Sequence, residues 1–183
     1  MEGLSRLFVA VPLTDEARHA LSATILRAAP DRLPGRVVRP ANWHVTLRFL
    51  GDVDAVGRDR VAAALDQADL GPPFSILWGR FGAFPRPQNA SVLWVGADRG
   101  AEHLERLAAR VDEAAQGAGF PPEERPFRPH LTLSRIRPHR DVGPLLESGS
   151  LGVHMEVGRI VLYQSHIGKG GVRYEEIEEF PLG

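Results

Sequence analysis

The feature that most restricts the fold of this 183-residue chain is the repetition of one order of elements. An apolar strand pattern, at 7–11 and again at 92–95, is followed by an amphipathic helix, a loop that contains arginine and proline, and a histidine. The two histidines are His44 and His130, and the strand starts 37 positions before the first and 38 positions before the second. Matched spacing of this kind predicts two related halves.

The helix of each half is marked by end signals. Thr14 is a predicted N-cap, and Asp15 and Glu16 follow in the first turn, where negative charge complements the helix dipole. Pro30 ends this helix, and Gly117 ends its counterpart in the second half. Each half therefore begins with a strand and a helix whose apolar face can pack on it.

Outside the repeat, apolar periodicity predicts one more helix and three more strands. The helix spans 54–69, and the strands span 74–81, 153–167 and 172–180, the last two joined by a turn at 168–171. Strands paired in this way beside helices favour an α+β fold with mainly antiparallel sheets over a doubly wound parallel sheet.

Each histidine begins a His-x-Thr-x motif, His-Val-Thr-Leu at 44–47 and His-Leu-Thr-Leu at 130–133. Side chains of a strand alternate between its two faces, so histidine and threonine share one face while the apolar pair points into the core. A single motif of this kind is weak evidence, but the same motif at the same place in two matched halves predicts a site made by His44, Thr46, His130 and Thr132.

Two imidazoles suit the cleavage of a phosphodiester because one can accept a proton while the other donates one near neutral pH. The threonine hydroxyls can bind the phosphate oxygens as negative charge develops on them. Neither motif contains Asp or Glu and the chain has no cysteine, so we expect no metal site. The other five histidines have no matching context and are treated as background: His19, His103, His139, His154 and His166.

Charge and composition limit the partners of the chain. It has 22 basic and 23 acidic residues, so contact with nucleic acid is expected to be local rather than spread over a basic surface. The N-terminal residues lack the pattern of a secretory signal, and no apolar stretch is long enough to span a membrane. We therefore expect a cytoplasmic protein without membrane contact and infer no obligate protein partner.

The motifs and their surroundings resemble the 2H phosphoesterase superfamily, specifically the RNA 2′,3′-cyclic phosphodiesterases that are also known as 2′-5′ RNA ligases. The resemblance covers nearly the whole chain. It rests on four segments, at 7–12, 44–52, 128–135 and 174–181.

This resemblance implies one bilobal domain over 1–183, with the two motifs facing each other across a central cleft and no cofactor. It also implies that His44 donates a proton to the leaving oxygen and that His130 activates water. Thr46, Thr132 and Arg135 would bind phosphate. The implied substrate is RNA with a 2′,3′-cyclic phosphate end, opened to a 2′-phosphate, with weak 2′-5′ ligation as a reverse reaction.

Strict alternation raises two questions about neighbouring residues. It places Arg135 on the face opposite His130, and only a bulge or the end of the strand would return it to the site. It also places Phe49 with Val45 in the core, although an aromatic side chain near the cleft could stack on a terminal base. Arg48 and Arg128 are weaker candidates for phosphate contacts, and Trp43, Phe127 and Tyr163 for base stacking.

Two other functions fit the same residues. The histidines and threonines could hold an RNA end without turning it over, in a noncatalytic binding module. Alternatively, the same pair of histidines could act on small nucleotides or 2′-5′ oligonucleotides. Turnover of a cyclic-phosphate substrate separates the first alternative from an enzyme.

Overall fold

The computed structural model describes residues 3–183. Nine strands, four α-helices and two 3₁₀ helices are present in this range. In chain order, with the 3₁₀ helices at Pro40–Asn42 and Pro87–Asn89, they are β1 (Ser5–Pro12), α1 (Asp15–Ala28), β2 (Arg36–Val37), β3 (His44–Val53), α2 (Ala55–Gln67), β4 (Phe74–Phe84), β5 (Ala90–Arg99), α3 (Ala101–Gly117), β6 (Leu131–Arg140), α4 (Gly143–Leu146), β7 (Val153–Val157), β8 (Arg159–Gly168) and β9 (Gly171–Pro181).

The strands form two antiparallel sheets, which confirms the predicted α+β fold. The first sheet has the order β3-β1-β8-β9 and the second has the order β2-β6-β5-β4-β7. Strands β1 and β3 form an antiparallel pair around α1, and β5 and β6 form the matching pair around α3. The predicted duplication is therefore visible as one strand-helix-strand unit in each sheet.

The helix ends follow from local chemistry. Thr14 caps α1, and its hydroxyl accepts a hydrogen bond from the Ala17 backbone N–H at 3.2 Å. Asp54 caps α2 in the same way through the Gly57 N–H at 2.7 Å. These side chains satisfy backbone donors that have no partner inside the helix.

Most of the buried side chains form one cluster that spans both sheets and the helices α1, α2 and α3. The residues of α1 that enter it include Ala17, Leu21 and Ile25, which lie on the face predicted from their spacing. A second, smaller cluster contains Phe8, Tyr163 and Tyr174. It lies on the other face of the first sheet, which is the face that carries the first histidine motif.

The predicted strands need one correction and one addition. The strand expected at 153–167 is two strands, because the chain passes through Gly158 from β7 in the second sheet to β8 in the first. The strand β2 was not predicted, since Arg36 and Val37 carry no apolar alternation and are both exposed. The turn at 168–171 joins β8 to β9 as expected.

Candidate active site

His44 is the first residue of β3, opposite Pro12 of β1. Its Nδ1 lies 2.8 Å from the Asn42 carbonyl oxygen, which can only accept, so Nδ1 carries a hydrogen. The Nε2 atom lies 3.0 Å from the Thr46 hydroxyl on the same face of the strand. The second nitrogen of the ring is thus directed to the motif threonine.

His130 repeats this arrangement just before β6 begins. Its Nδ1 donates to the Arg128 carbonyl oxygen at 2.6 Å, again two residues earlier in the chain. Among residues 3–183, no hydrogen-bond partner occupies Nε2 of His130. Both imidazoles are therefore held by the same backbone contact, which leaves Nε2 as the nitrogen that can exchange a proton with a ligand.

Aromatic rings support both imidazoles. The Phe8 ring centroid lies 4.9 Å from that of His44, and the Tyr174 ring meets the same imidazole edge-on at 5.1 Å. The Phe84 ring stands perpendicular to His130 at 5.1 Å, and Trp94 lies at 6.1 Å. Rigid aromatic surroundings hold the imidazoles in place and exclude water from part of their surface.

A β-bulge in β6 brings Arg135 to the site. Leu93 pairs with Ser134 and Trp94 pairs with Thr132, so Leu133 is an extra residue. Leu133 and Ser134 are both buried, whereas Thr132 is half-buried and Arg135 is exposed. The bulge shifts the alternation by one residue and places Arg135 on the face of Thr132, whereas strict alternation predicts the opposite face.

The first motif contains a bulge at the equivalent position. Ala10 pairs with Thr46 and Val9 pairs with Arg48, so Leu47 is the extra residue. Phe49 consequently lies opposite Phe8 on the face of Thr46, and 57% of it is exposed. The prediction that Phe49 belongs to the core was therefore wrong. The two halves place Phe49 and Arg135 at the same position of their motifs.

The weaker arginine candidates lie in different surroundings. Arg48 is 7% exposed on the core side of β3 and is not available to a ligand in the cleft. Arg128 offers its carbonyl oxygen to His130, and its guanidinium lies 6.0 Å from the centre of the Phe84 ring. Of the two, only Arg128 remains close to a catalytic candidate.

Arg48 links the first motif to the segment that leads to the second. Its Nε lies 2.8 Å from the Asp112 carboxylate of α3, without the angle of a hydrogen bond, and its Nη1 donates to Glu123 at 3.3 Å. The other terminal nitrogen donates to the Pro121 carbonyl oxygen. A single buried guanidinium thus joins β3, α3 and the loop before His130.

Burial lowers the pKa of both histidines. The pKa of His44 falls from 6.5 to about 4, mainly because the imidazole is desolvated, although the Asn42 carbonyl opposes the fall. The positive charges of His130 and Arg135 lower it further. Burial, and then the charge of Arg135, also lower the pKa of His130, against the opposing effect of the Arg128 carbonyl. Arg135 thus acts on both imidazoles, and His130 acts on His44, as expected for three side chains that lie near one another.

Sequence reasoning missed several aromatic residues of this cleft. Phe8 and Tyr174 lie beside His44, and Phe84 and Trp94 lie beside His130. Of the predicted stacking candidates, Tyr163 belongs to the Phe8 cluster, while Trp43 is buried and donates its indole N–H to Val38. Phe127 packs against the main core. The apolar runs around Phe8 and Trp94 show no alternation that would reveal which face is the cleft.

A cavity of about 310 Å³ adjoins His44. It is lined by the start of α1 and by side chains that include Arg18, Asn42, Arg159 and Tyr174. This volume is at the lower end of the range for small-ligand pockets. Polar groups therefore surround an open space next to the first motif.

The described residues, 3–183, contain no cluster of three or more His, Cys, Asp or Glu side chains arranged to hold a metal ion. Within the same range, no helix combines the length and the apolar character needed to cross a membrane.

Solved structures share this architecture over nearly the full chain. A protein of Thermus thermophilus superposes with a TM-score of 0.78 at 27% identity, with 97% of each chain covered. LigT of E. coli in its apo form superposes with a TM-score of 0.75 at 26% identity, with 98% of each chain covered. The fold and the paired motifs thus define the class of LigT-type phosphoesterases.

Sequence comparison leads to the same class. The LigT-like phosphoesterase family matches twice, at 11–94 and at 95–174, and the chain belongs to this family. The RNA 2′,3′-cyclic phosphodiesterase of Archaeoglobus fulgidus is 34% identical, over 96% of this chain and 99% of its own length. That of Aeropyrum pernix is 36% identical, over 80% of this chain and 86% of its own. The two family matches divide the chain between its two histidine motifs.

Proposed function

We propose that this protein hydrolyses RNA that ends in a 2′,3′-cyclic phosphate. The observation that carries the proposal is the matched setting of His44 and His130, each with Nδ1 bound to a backbone carbonyl and Nε2 directed away from it. Family membership and the names of the relatives support the same substrate. Two proton-transfer groups around one cleft are what the opening of a cyclic phosphodiester requires.

In the proposed reaction, Nε2 of neutral His130 removes a proton from water as the water oxygen attacks phosphorus. The bond from phosphorus to the 3′-oxygen breaks, and that oxygen takes a proton from Nε2 of protonated His44. The products are a 2′-phosphate and a free 3′-hydroxyl. The assignment of acid and base follows the family resemblance, because the matching Nδ1 contacts do not distinguish the two imidazoles.

Thr46, Thr132 and Arg135 are proposed to bind the non-bridging phosphate oxygens. Both threonines share the face of their histidine, and the bulge at Leu133 brings Arg135 to that face. A guanidinium can contact two phosphate oxygens at once, and hydroxyl donors stabilise charge that increases in the transition state. The bound anion also raises the pKa of His44 and so favours its protonated form.

Phe49 is proposed to contact the terminal base. It lies next to the Phe8 ring, at a centroid distance of 6.1 Å, and most of its surface is exposed. A rigid exposed aromatic ring can stack on any nucleobase. The first half would then hold the base through Phe49, while the second half holds the phosphate through Arg135.

We further propose that residues 1–183 act as one bilobal domain in the cytoplasm, with no cofactor and no obligate protein partner. Weak 2′-5′ ligation would be the reverse of the same chemistry. The contiguous cluster of buried side chains across both sheets supports the single domain.

The test is turnover of an oligonucleotide with a 2′,3′-cyclic phosphate end by His44→Ala and His130→Ala. We expect each variant to lose at least about 10²-fold in turnover with an unchanged circular dichroism spectrum. His154→Ala is the matched control, because His154 is an exposed strand histidine outside the cleft. Near-normal turnover by either cleft variant would refute the pairing.

The same assay tests the two other expectations. Phosphorus NMR of the product should show a 2′-phosphate, and a predominant 3′-phosphate would reverse the assigned acid and base or the orientation of the ribose. A wild-type protein that binds the RNA end without turnover would instead be a binding module.

A further inference from the structure

About half of the arginines of this chain lie in stretches of sequence that contain no carboxylate. Three segments, 32–51, 70–97 and 125–140, contain no Asp or Glu but hold eleven arginines. They form β2, most of β3, β4, most of β5, and β6 with the loop before it. A net charge of -1 therefore conceals a local excess of positive charge around the strands that carry the histidines.

Part of this charge is concentrated where β2 meets β6. Arg36 and Arg135 pair directly across the two strands, so both side chains leave the sheet on the same face. Like charges in directly opposite positions destabilise a sheet pair. Neither arginine forms an ion pair with a carboxylate among residues 3–183, so an anion would relieve the repulsion.

The positive charge continues along β6 away from the histidines. Arg135 and Arg137 are both exposed on either side of buried Ile136, so they project from one face. Arg140 lies opposite Ala90, at the end of the sheet where Arg86 precedes the 3₁₀ helix. The residue after Arg140 is a carboxylate, Asp141, and it accepts a hydrogen bond from the Gly143 backbone N–H.

The hairpin of β8 and β9 closes the other side of this surface. An added side-chain carbon on Gly171 would lie 2.9 Å from Nη2 of Arg36, so the turn of the hairpin touches the edge of the second sheet. Lys169 lies in the same turn, and Asn42 donates to the Val172 carbonyl at 3.0 Å. The turn that contains Lys169 thus lies at this edge of the second sheet, and the hairpin connects the surface to the loop before His44.

We propose that Arg36, Arg137, Arg140 and Arg86 form a path for the single strand of RNA that precedes the cyclic phosphate. The path starts at Arg135 in the site and follows β6 to the β4–β5 connection. It rests on the proposed function and specifies its substrate as an oligonucleotide, since a mononucleotide has no phosphates to place along the path. Exposed guanidinium groups suit the phosphates of such a strand.

The experiment compares 2′,3′-cyclic AMP with a short single-stranded RNA that ends in a 2′,3′-cyclic phosphate, at increasing NaCl. With about three phosphates bound beyond the site, log(kcat/KM) for the RNA should fall against log salt with a slope of about −2. For cyclic AMP the slope should be much smaller. Equal slopes for the two substrates would overturn the path while leaving the proposed hydrolysis intact.

The variant Arg137→Gln/Arg140→Gln tests the residues themselves. We expect about a 10-fold rise in KM for the RNA, with unchanged kinetics on cyclic AMP. The matched control is Arg27→Gln/Arg106→Gln, which removes two exposed arginines from the helices α1 and α3. Equal effects of the two double variants on the RNA would contradict the proposal.

Binding gives a readout that does not depend on turnover. The His130→Ala protein should bind a fluorescent single strand with a 3′-terminal phosphate, and Arg137→Gln/Arg140→Gln should weaken that binding by a similar factor. Preference for a duplex of the same length over the single strand would also overturn the proposal. If wild-type protein hydrolyses neither substrate, the proposed function fails, and with it the path.

Discussion

At the scale of single residues, the side chains packed around His44 and His130 lower the pKa of both histidines. Their position on one face with Thr46 and Thr132 follows from strand alternation over the first three residues of each motif. The low pKa values do not follow from the motif, because they depend on rings such as Phe8 and Trp94 that come from other strands. Desolvation is a property of the packed structure.

The pH dependence of kcat/KM follows from these pKa values. The proposed reaction requires one imidazole protonated and one neutral, and in the free protein both pKa values lie below 6.5, that of His44 at about 4. The pair loses its last proton as the pH rises through the higher of the two values. We therefore expect a bell-shaped profile whose optimum and alkaline limb lie below pH 6.5, measured with a cyclic-phosphate substrate.

The variant Arg135→Gln tests the electrostatic cause of this pH profile. Loss of the guanidinium removes a positive charge that lowers the pKa of both histidines, so the alkaline limb should move to higher pH while KM rises. Histidine NMR titration of the free protein should show the same direction. A limb that stays in place or moves to lower pH would contradict the electrostatic coupling.

At the scale of elements, two matched bulges decide which residues face the cleft. The extra residues are Leu47 and Leu133, the fourth residues of the two motifs. A leucine can be buried in the core whether it is paired or bulged, so the apolar pattern does not reveal the bulge. Alternation consequently assigned Phe49 to the core and Arg135 to the far face. The residues that follow the bulges, Arg48 and Ser134, are the two buried polar side chains of the described chain.

Arg48 is expected to stabilise the molecule through its contacts between elements. Arg48→Met leaves Asp112 and Glu123 as partly buried carboxylates without their shared cation, and we expect the free energy of unfolding to fall by about 3 kcal/mol. Urea denaturation measures this difference. Arg58→Met is the matched control, since Arg58 pairs with Asp59 at the surface and its loss should cost less than about 0.5 kcal/mol.

An effect of Arg48→Met no larger than that of Arg58→Met would show that the contacts with Asp112 and Glu123 contribute little. Loss of the Arg48 contacts should also reduce turnover, because the loop that begins at Pro121 and leads to His130 would be held less firmly.

At the scale of the whole molecule, the duplication was the most predictable feature. The two strand-helix-strand units lie in separate sheets, in agreement with the two related halves that the repeat spacing predicts. The passage from β7 to β8 was not predicted, because strand-forming residues continue on both sides of Gly158, alternating before it and as an apolar run after Arg159. The pairing of β2 with β6 was equally unpredictable, since a strand of two exposed residues carries no apolar signal.

Activity should survive removal of divalent ions. The proposed reaction uses the two imidazoles, the threonine hydroxyls and Arg135, and neither motif supplies a carboxylate or a thiolate to hold a metal. We expect the same turnover with and without excess EDTA. Loss of turnover that is restored by a divalent ion would defeat this expectation.

The position of Trp94 has a practical consequence. The indole lies on the cleft face beside His130, because Gly82 and Gly96 leave space that a side chain would fill. Trp78 is fully buried and Trp43 is 5% exposed, so Trp94 is the most exposed of the three indoles. Indole emission responds to a nearby cation and to the polarity around the ring. The protein thus contains its own optical probe, through which protonation of His130 and the arrival of an RNA end can be followed without a label.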